Sequence, residues 1–241
     1  MIVTLVRIMN AILLSISFLN SVTGENKIDI DCDEFVIKLK SISASMLASE
    51  LDTDFKRLAF WLNIYNANVQ LILRKYPVMF NKRSSFFSSK QIWIAGELIS
   101  LDVIEHGILR LFKNKYSLGY FNKFFPTSFE KQFRLNTLDY RIHFALNCGA
   151  RSCPAITSYY PEHINEQLNH ATSQYLVNEV IYDEVLNRVE LPALFLWFRN
   201  DFGGSVGILN ILKYHSLIPH HQNPAFRYSK YDWSLYLNNI K

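Results

Sequence analysis

Glycine and proline are scarce, eight and seven in 241 residues, which excludes a fibrous repeat or a linker-rich chain. Cysteine is scarcer still. Cys32, Cys148 and Cys153 are too few to staple a fold of this length, so the fold must rest on its core. Charged residues are only 19% of the chain and the net charge is +4, which makes no case for a nucleic-acid partner. Glycine-rich phosphate loops, a G-x-S-x-G elbow and an H-E-x-x-H pair are all absent, and no residue set asks for a cofactor. What is abundant is apolar surface: 49% hydrophobic residues, with 18 Phe and 13 Tyr to line a core or a groove.

The first 24 residues differ from the rest. Arg7 is their only charge, and the apolar run Ile8 to Leu19 follows it. Small residues then lead to a cut position before Glu25, with Val22 and Gly24 at minus three and minus one. This is the pattern of a secretory signal over residues 1–24, and it predicts a secreted or periplasmic protein that meets the membrane only transiently, through that segment. An uncleaved anchor is the alternative, although the run is short of the roughly 20 apolar residues that span a bilayer.

Downstream, a helical lead over 25–50 precedes one domain over 51–241. Phe35, Leu39, Ile42 and Met46 repeat at helical spacing. Phe55, Leu58, Ala59, Leu62, Tyr65, Val69 and Ile72 mark one face of a long helix, with Asp52 or Thr53 as N-cap and Pro77 beyond its end. Asn81 to Lys90 is serine-rich and basic, an exposed loop. Gln91 to Ile99 predicts a hairpin turning at Ala95-Gly96-Glu97. Ser100 can cap a helix running to about Phe112. Tyr120 to Phe133 is aromatic and gives no clear element. Ile142, Phe144 and Leu146 alternate with His143, Ala145 and Asn147, which predicts a strand over 139–148. A helix from Pro161 to about Val180, a strand at Arg188 to Leu191, and helices over Leu194 to Phe202 and Val206 to Tyr214 complete a mainly helical α+β single domain with a small, mostly antiparallel sheet.

Chemistry concentrates in His143-Phe144-Ala145-Leu146-Asn147-Cys148-Gly149-Ala150-Arg151-Ser152-Cys153-Pro154. A cysteine at a strand end, followed at once by glycine, sits at a sharp turn and can face a cleft as a nucleophile, given a base and oxyanion donors. On a regular strand His143 and Cys148 would point to opposite faces, so the preferred base is His106, with His143 as the substitute. Glu105 adjoins His106, and Gly107, inside a helix, implies a close approach. Asn63, Asn66 and Gln70 share one face of the long helix, placed either to hold a neighbouring segment or to orient a histidine and polarise a carbonyl. For the two cysteines a structural disulfide, a nucleophilic Cys148 and a plain buried thiol all stand open. The working expectation is that Cys148 is free or only reversibly oxidised and that Cys32 pairs with neither. Zinc binding by Cys148, Cys153, His143 and His106 is the weaker chemical reading, because no second ligand pair completes it.

Leu58-Ala59-Phe60-Trp61-Leu62-Asn63-Ile64-Tyr65-Asn66-Ala67, Ile94-Ala95-Gly96 leading to Ser100-Leu101-Asp102-Val103-Ile104-Glu105-His106-Gly107, the Asp139 to Pro154 block and the closing Tyr231-Asp232-Trp233-Ser234-Leu235 together resemble the family catalogued as domain of unknown function 547. The resemblance spans about residues 51–241, with Tyr140 where the family usually has proline. It implies a single domain and marks Asn63, Asn66, Glu105, His106, Arg141, His143, Cys148 and Cys153 as the family's polar signature, without an activity.

Two functions follow as expectations. One is an exported thiol hydrolase acting on an amide or peptide bond. Its nucleophile is Cys148, its base is His106 or His143, Asn66 or Asn63 orients, and the backbone after Cys148 supplies oxyanion donors. The other is a non-catalytic envelope module that binds a peptide or partner protein in an aromatic groove. Either takes an unknown peptide or small-molecule ligand.

Overall fold

The structure, a computed structural model, describes residues 10–24, 32–237, 239 and 240. Arg7 and Glu25, the basic start and the cut position of the expected leader, lie outside the described residues. Helix α1 (Ala11–Thr23) packs along the long central helix α4 (Asp54–Lys75) and buries Phe18 and Leu19 completely. The Glu50 carboxylate accepts the N–H groups of Ala11 and Ile12 at 2.9 and 3.1 Å, the charge that a helix N-terminus favours. The helical lead is two helices rather than one, α2 (Asp33–Ser41) and α3 (Ala44–Glu50). Ser43 breaks the run because its hydroxyl accepts the Met46 N–H at 3.2 Å and caps α3.

Helix α4 begins where its sequence places it, with Thr53 Oγ1 accepting the Lys56 N–H at 3.3 Å. Every residue from Leu58 to Gln70 is buried, so neighbours surround the helix on all sides and its polar residues must find partners inside. The expected loop at Asn81 to Lys90 instead forms a 3-10 turn (Pro77–Lys82) and helix α5 (Arg83–Ser88), because Phe86 and Phe87 bury and fold the segment down. The hairpin appears as read, β1 (Ile92–Ile94) against β2 (Glu97–Ile99). Its turn puts Ala95 and Gly96 at φ 52° and 80°, the two left-handed residues of a tight hairpin.

The segment after the hairpin departs from a regular helix. Ser100 Oγ accepts the Val103 N–H at 3.2 Å as a cap should, but Val103–Leu109 winds as a π-helix and ends at Leu111 and Phe112, both with positive φ. Gly107 explains the close approach: a Cβ there would lie 2.2 Å from Glu130 Oε1. Glu130 belongs to α6 (Ser128–Phe133), where it completes a capping box with Thr127 and accepts from Lys123 Nζ.

The strand expected over 139–148 is absent. Tyr140–Phe144 is a 3-10 turn, started by Asp139 Oδ1 accepting the Arg141 N–H at 3.0 Å. The alternation misleads because Ile142 through Asn147 are all buried, so there is no solvent face for a period of two to report. Helix α7 (Ile164–Glu179) follows a 3-10 turn at Pro161–His163. Strands β3 (Ile181–Asp183) and β4 (Arg188–Leu191) pair antiparallel, helices α8 (Leu194–Trp197) and α9 (Gly204–Tyr214) follow, and β5 (Ala225–Tyr228) returns parallel to β4. Helix α8 stops short of the expected Phe202. The fold is α+β, with a two-stranded antiparallel sheet and a three-stranded mixed one. Its core has two parts, a larger one around α4 and a smaller one in which Phe144, Phe195 and Phe202 pack with Val189 and Ile208.

Candidate functional site

A cleft of about 460 Å³ opens where the two parts of the core meet. Tyr65 of α4, Glu105 and His106 of the π-helix, and His143 and Cys148 of the central block all line it. Trp197, Phe198, Tyr231 and Trp233 form an aromatic wall, with Tyr231 and Trp233 ring centroids 4.7 Å apart. The structure thus brings four of the expected site residues together: Cys148, His106, His143 and Glu105. Asn63 and Asn66 do not line the cleft.

Those two amides hold backbone instead. Asn63 accepts the Tyr159 N–H and donates to the Tyr159 carbonyl, both at 2.9 Å. Asn66 donates to the Ala145 carbonyl at 3.0 Å and accepts the Asn147 N–H at 2.9 Å. Asn147 continues the chain of contacts, accepting the Gly149 N–H at 2.9 Å and donating to the Pro154 carbonyl at 2.7 Å. The loop that carries both cysteines is therefore fixed from α4 outward by fully buried, fully paired amides. Gly149 turns it at φ 89°, and a Cβ at that position would lie 2.7 Å from Leu73 Cδ1. Arg141 stands apart from the cleft, holding Asp139 and the side chains of Asn165 and Asn169.

Cys148 and Cys153 carry free thiols 2.9 Å apart, against about 2.03–2.05 Å for a disulfide. The Cys148 N–H donates to Cys153 Sγ at 3.1 Å, and the Tyr231 hydroxyl lies 3.2 Å from the same sulfur. Burial works against ionisation of Cys153, but hydrogen bonds from the Cys148 thiol and the Tyr231 hydroxyl outweigh it and lower its pKa. The contact with Cys153, and then burial, push the Cys148 thiol well above the ordinary range. Within the pair, loss of a proton therefore favours Cys153 over Cys148.

The histidines are differently engaged from the roles read for them. Arg110 Nη1 donates to His106 Nδ1 at 2.8 Å, so the neutral ring carries its proton on Nε2. Burial, and then the Arg110 cation, depress the His106 pKa to about 3. A ring held neutral, with its acceptor nitrogen already occupied, cannot serve as base but can donate from Nε2, which lies 3.7 Å from Asp102 Oδ1. His143 Nε2–H donates to Asp201 Oδ2 at 2.9 Å, and Arg110 Nε donates to the same oxygen at 2.6 Å. Burial holds His143 below the ordinary imidazole value despite Asp201. Burial opposes ionisation of Asp201 as well, but its bonds from His143 and Arg110 keep its carboxyl below the usual range. Phe198 backs the trio, stacked 3.9 Å from the His143 ring and 4.5 Å from the Arg110 guanidinium carbon. Glu105 accepts from the Tyr65 hydroxyl at 3.2 Å.

Neither histidine hydrogen-bonds to Cys148. The backbone donors next to the cysteine are also occupied, the Cys148 N–H by Cys153 Sγ and the Gly149 N–H by Asn147 Oδ1. The oxyanion donors expected from this backbone are thus unavailable at those two positions. Among the described residues no group of three or more His, Cys, Asp or Glu is placed to hold a metal ion. Sequence reasoning missed Asp201, Tyr231, Trp197 and Lys115. Tyr231 and Trp233 stand in the closing block of the resemblance, which signals them; Asp201 lies in no motif.

A family model described as "Protein of unknown function, DUF547" matches residues 48–176. Neither a curated protein nor a solved structure matches the chain.

Proposed function

The chain belongs to the DUF547 family, whose description states no activity, and we propose from the chemistry of the cleft that it is a thiol-dependent hydrolase of an amide or peptide bond. The single observation that carries this reading is Cys148 at the cleft wall, 2.9 Å from a second sulfur that ionises more easily. A thiol needs a neighbouring base to become a nucleophile, and here Cys153 takes the role first assigned to a histidine. As Cys148 Sγ bonds to the carbonyl carbon, its proton passes to the Cys153 thiolate. His106 Nε2–H donates to the oxygen as its charge develops, worth about 10²–10³ in rate for a well-aimed donor. Collapse expels the amine, which takes the proton from Cys153 and leaves a thioester on Cys148. Water then attacks, gives a proton to Cys153 and releases the acid. Cys148 leaves as thiolate and recovers its proton from Cys153. The aromatic wall suits an aromatic or apolar peptide side chain.

The 2.9 Å sulfur separation also favours a second reading, dithiol–disulfide exchange: Cys148 attacks a substrate disulfide and releases one thiol, then Cys153 attacks the Cys148 sulfur, releases the second thiol and leaves the two cysteines oxidised. Export, to the periplasm or the exterior, is part of the proposal and rests on Arg7 and the apolar run after it. Removal of residues 1–24 would uncover the α4 face that Phe18 and Leu19 cover.

Incubation of the full chain with fluorogenic aromatic peptide amides tests the main reading. Turnover should fall to background in Cys148→Ser, with folding unchanged by circular dichroism. Turnover that survives this substitution would remove Cys148 from the chemistry. A mixed disulfide at Cys148 after incubation with a peptide disulfide, with the amides left intact, would move the assignment to the exchange reading.

A further inference from the structure

Beside the cleft the chain holds its apolar side chains out to solvent. In the segment from Lys113 to Phe125, Phe121, Phe124 and Phe125 are 74%, 90% and 88% exposed, and Tyr116 and Tyr120 are exposed as well. Single exposed hydrophobics need no explanation, but five exposed rings within ten residues of chain mark an interaction surface.

The segment is ordered rather than loose. Asn114 N–H donates to the Phe121 carbonyl at 2.9 Å, Lys123 N–H to the Phe112 carbonyl at 2.6 Å, and Asn200 Nδ2 to the Gly119 carbonyl at 2.9 Å. These bonds hold the rings outward, although a short collapse could have buried them.

The segment's own charges, counted over residues 106–129, are of one sign, and three of the four cations are paired with carboxylates from outside it. Residues 106–129 contain Arg110, Lys113, Lys115 and Lys123 and no acidic residue. Arg110 is buried with Asp201, and Lys115 bridges Asp102 at 2.9 Å. Lys123 bonds Glu130, but the carboxylate is only 1% exposed while the lysine is 40% exposed, so the outward charge is the cation. Lys113 lies at the base of the same segment, in the bridge between Lys113 and Asn122.

We infer that this tip is a membrane-docking surface for a bilayer rich in anionic lipid. Aromatic rings settle at the headgroup level, and lysines beside them meet the negative surface potential. Lysine is depleted from protein interfaces, which argues against a protein partner for the same surface. Among the described residues no helix is long and apolar enough to cross a membrane. Lys115, Tyr116 and Leu118 also line the cleft, so docking brings the rim of the cleft to the lipid surface. The inference does not depend on which reaction the cleft performs.

Sedimentation of the full chain with large unilamellar vesicles tests it. Vesicles of phosphatidylcholine with about 30 mol% phosphatidylglycerol should carry the protein down, and phosphatidylcholine alone should carry much less. Raising sodium chloride to about 0.5 M should weaken the binding. The double variant Phe124→Ser/Phe125→Ser, both at exposed sites, should lower the partition coefficient at least about tenfold with an unchanged circular dichroism spectrum. Lys113→Gln should lower it on anionic vesicles only. Failure of the parent to bind anionic vesicles, or equal binding by the double variant, overturns the inference. Concentration-dependent self-association that the double variant abolishes, in a parent that ignores vesicles, also overturns it and assigns the surface to a second copy of the chain.

Discussion

Asp201→Asn is expected to cost about 3–5 kcal/mol of folding stability, read as a fall in the urea midpoint. The change preserves volume and removes a charge. Arg110 and Asp201 have side chains only 1% and 0% exposed, so the guanidinium would remain in the interior without its counter-ion. The Nη2 atom of Arg110 already lacks a partner, which leaves it no spare contact to fall back on. His143 and Phe198 pack on the same group, and so the loss extends into the wall of the cleft. Arg110→Met introduced beside Asp201→Asn should recover part of the loss, since an apolar side chain leaves no stranded charge. A single variant within about 0.5 kcal/mol of the parent would show that the buried ion pair is not what organises this side of the cleft.

Acid should weaken the fold well above the pH at which carboxylates titrate. His106 has a folded pKa of about 3 against 6.5 for the free side chain. Between those values the unfolded chain binds a proton that the folded protein refuses, so stability rises with pH across the window and is lost as pH falls through it. At about 1.4 kcal/mol per unit the contribution reaches roughly 4 kcal/mol at its lower end. His143 is shifted in the same direction and adds to the loss. Asp201 acts later: its stabilisation is complete above the usual carboxylate pKa and disappears as pH falls through its depressed folded value. Urea midpoints measured from pH 7 down to pH 4 should decline steadily, and His106→Gln should flatten the decline. A flat profile in the parent would mean that folding does not shift His106 and that burial and Arg110 do not hold the ring neutral in acid.

How much of this was legible depended on how local each cause is. Helix α4 could be read because its cap and its periodicity lie within its own residues, and the β1–β2 hairpin because Ala95-Gly96 encodes its turn. The Cys148 loop was found from a cysteine followed by glycine, although the strand end expected before it is absent. The 139–148 block was misread as a strand because burial on every side erased the contrast on which periodicity depends. The π-helix was invisible, since the residue that crowds Gly107 is Glu130, on another helix. The roles of the histidines were invisible for the same reason. His106 looks like a base until Arg110, four residues on, takes its Nδ1, and Arg110 is itself set by Asp201, ninety-one residues downstream. Strand β5 meets β4 in parallel after a long crossover that no local pattern announces.

The most direct measurement of the central claim, a nucleophilic Cys148 with Cys153 as its proton acceptor, is the pH dependence of alkylation by iodoacetamide, resolved by peptide mass spectrometry on the non-reduced full chain. A nucleophilic Cys148 that hands its proton to Cys153 predicts an adduct at Cys148, no stoichiometric Cys148–Cys153 bridge, and alkylation near neutral pH that depends on Cys153. In Cys153→Ser that alkylation should slow. A permanent bridge, or a Cys148 profile that Cys153→Ser leaves unchanged, would contradict it.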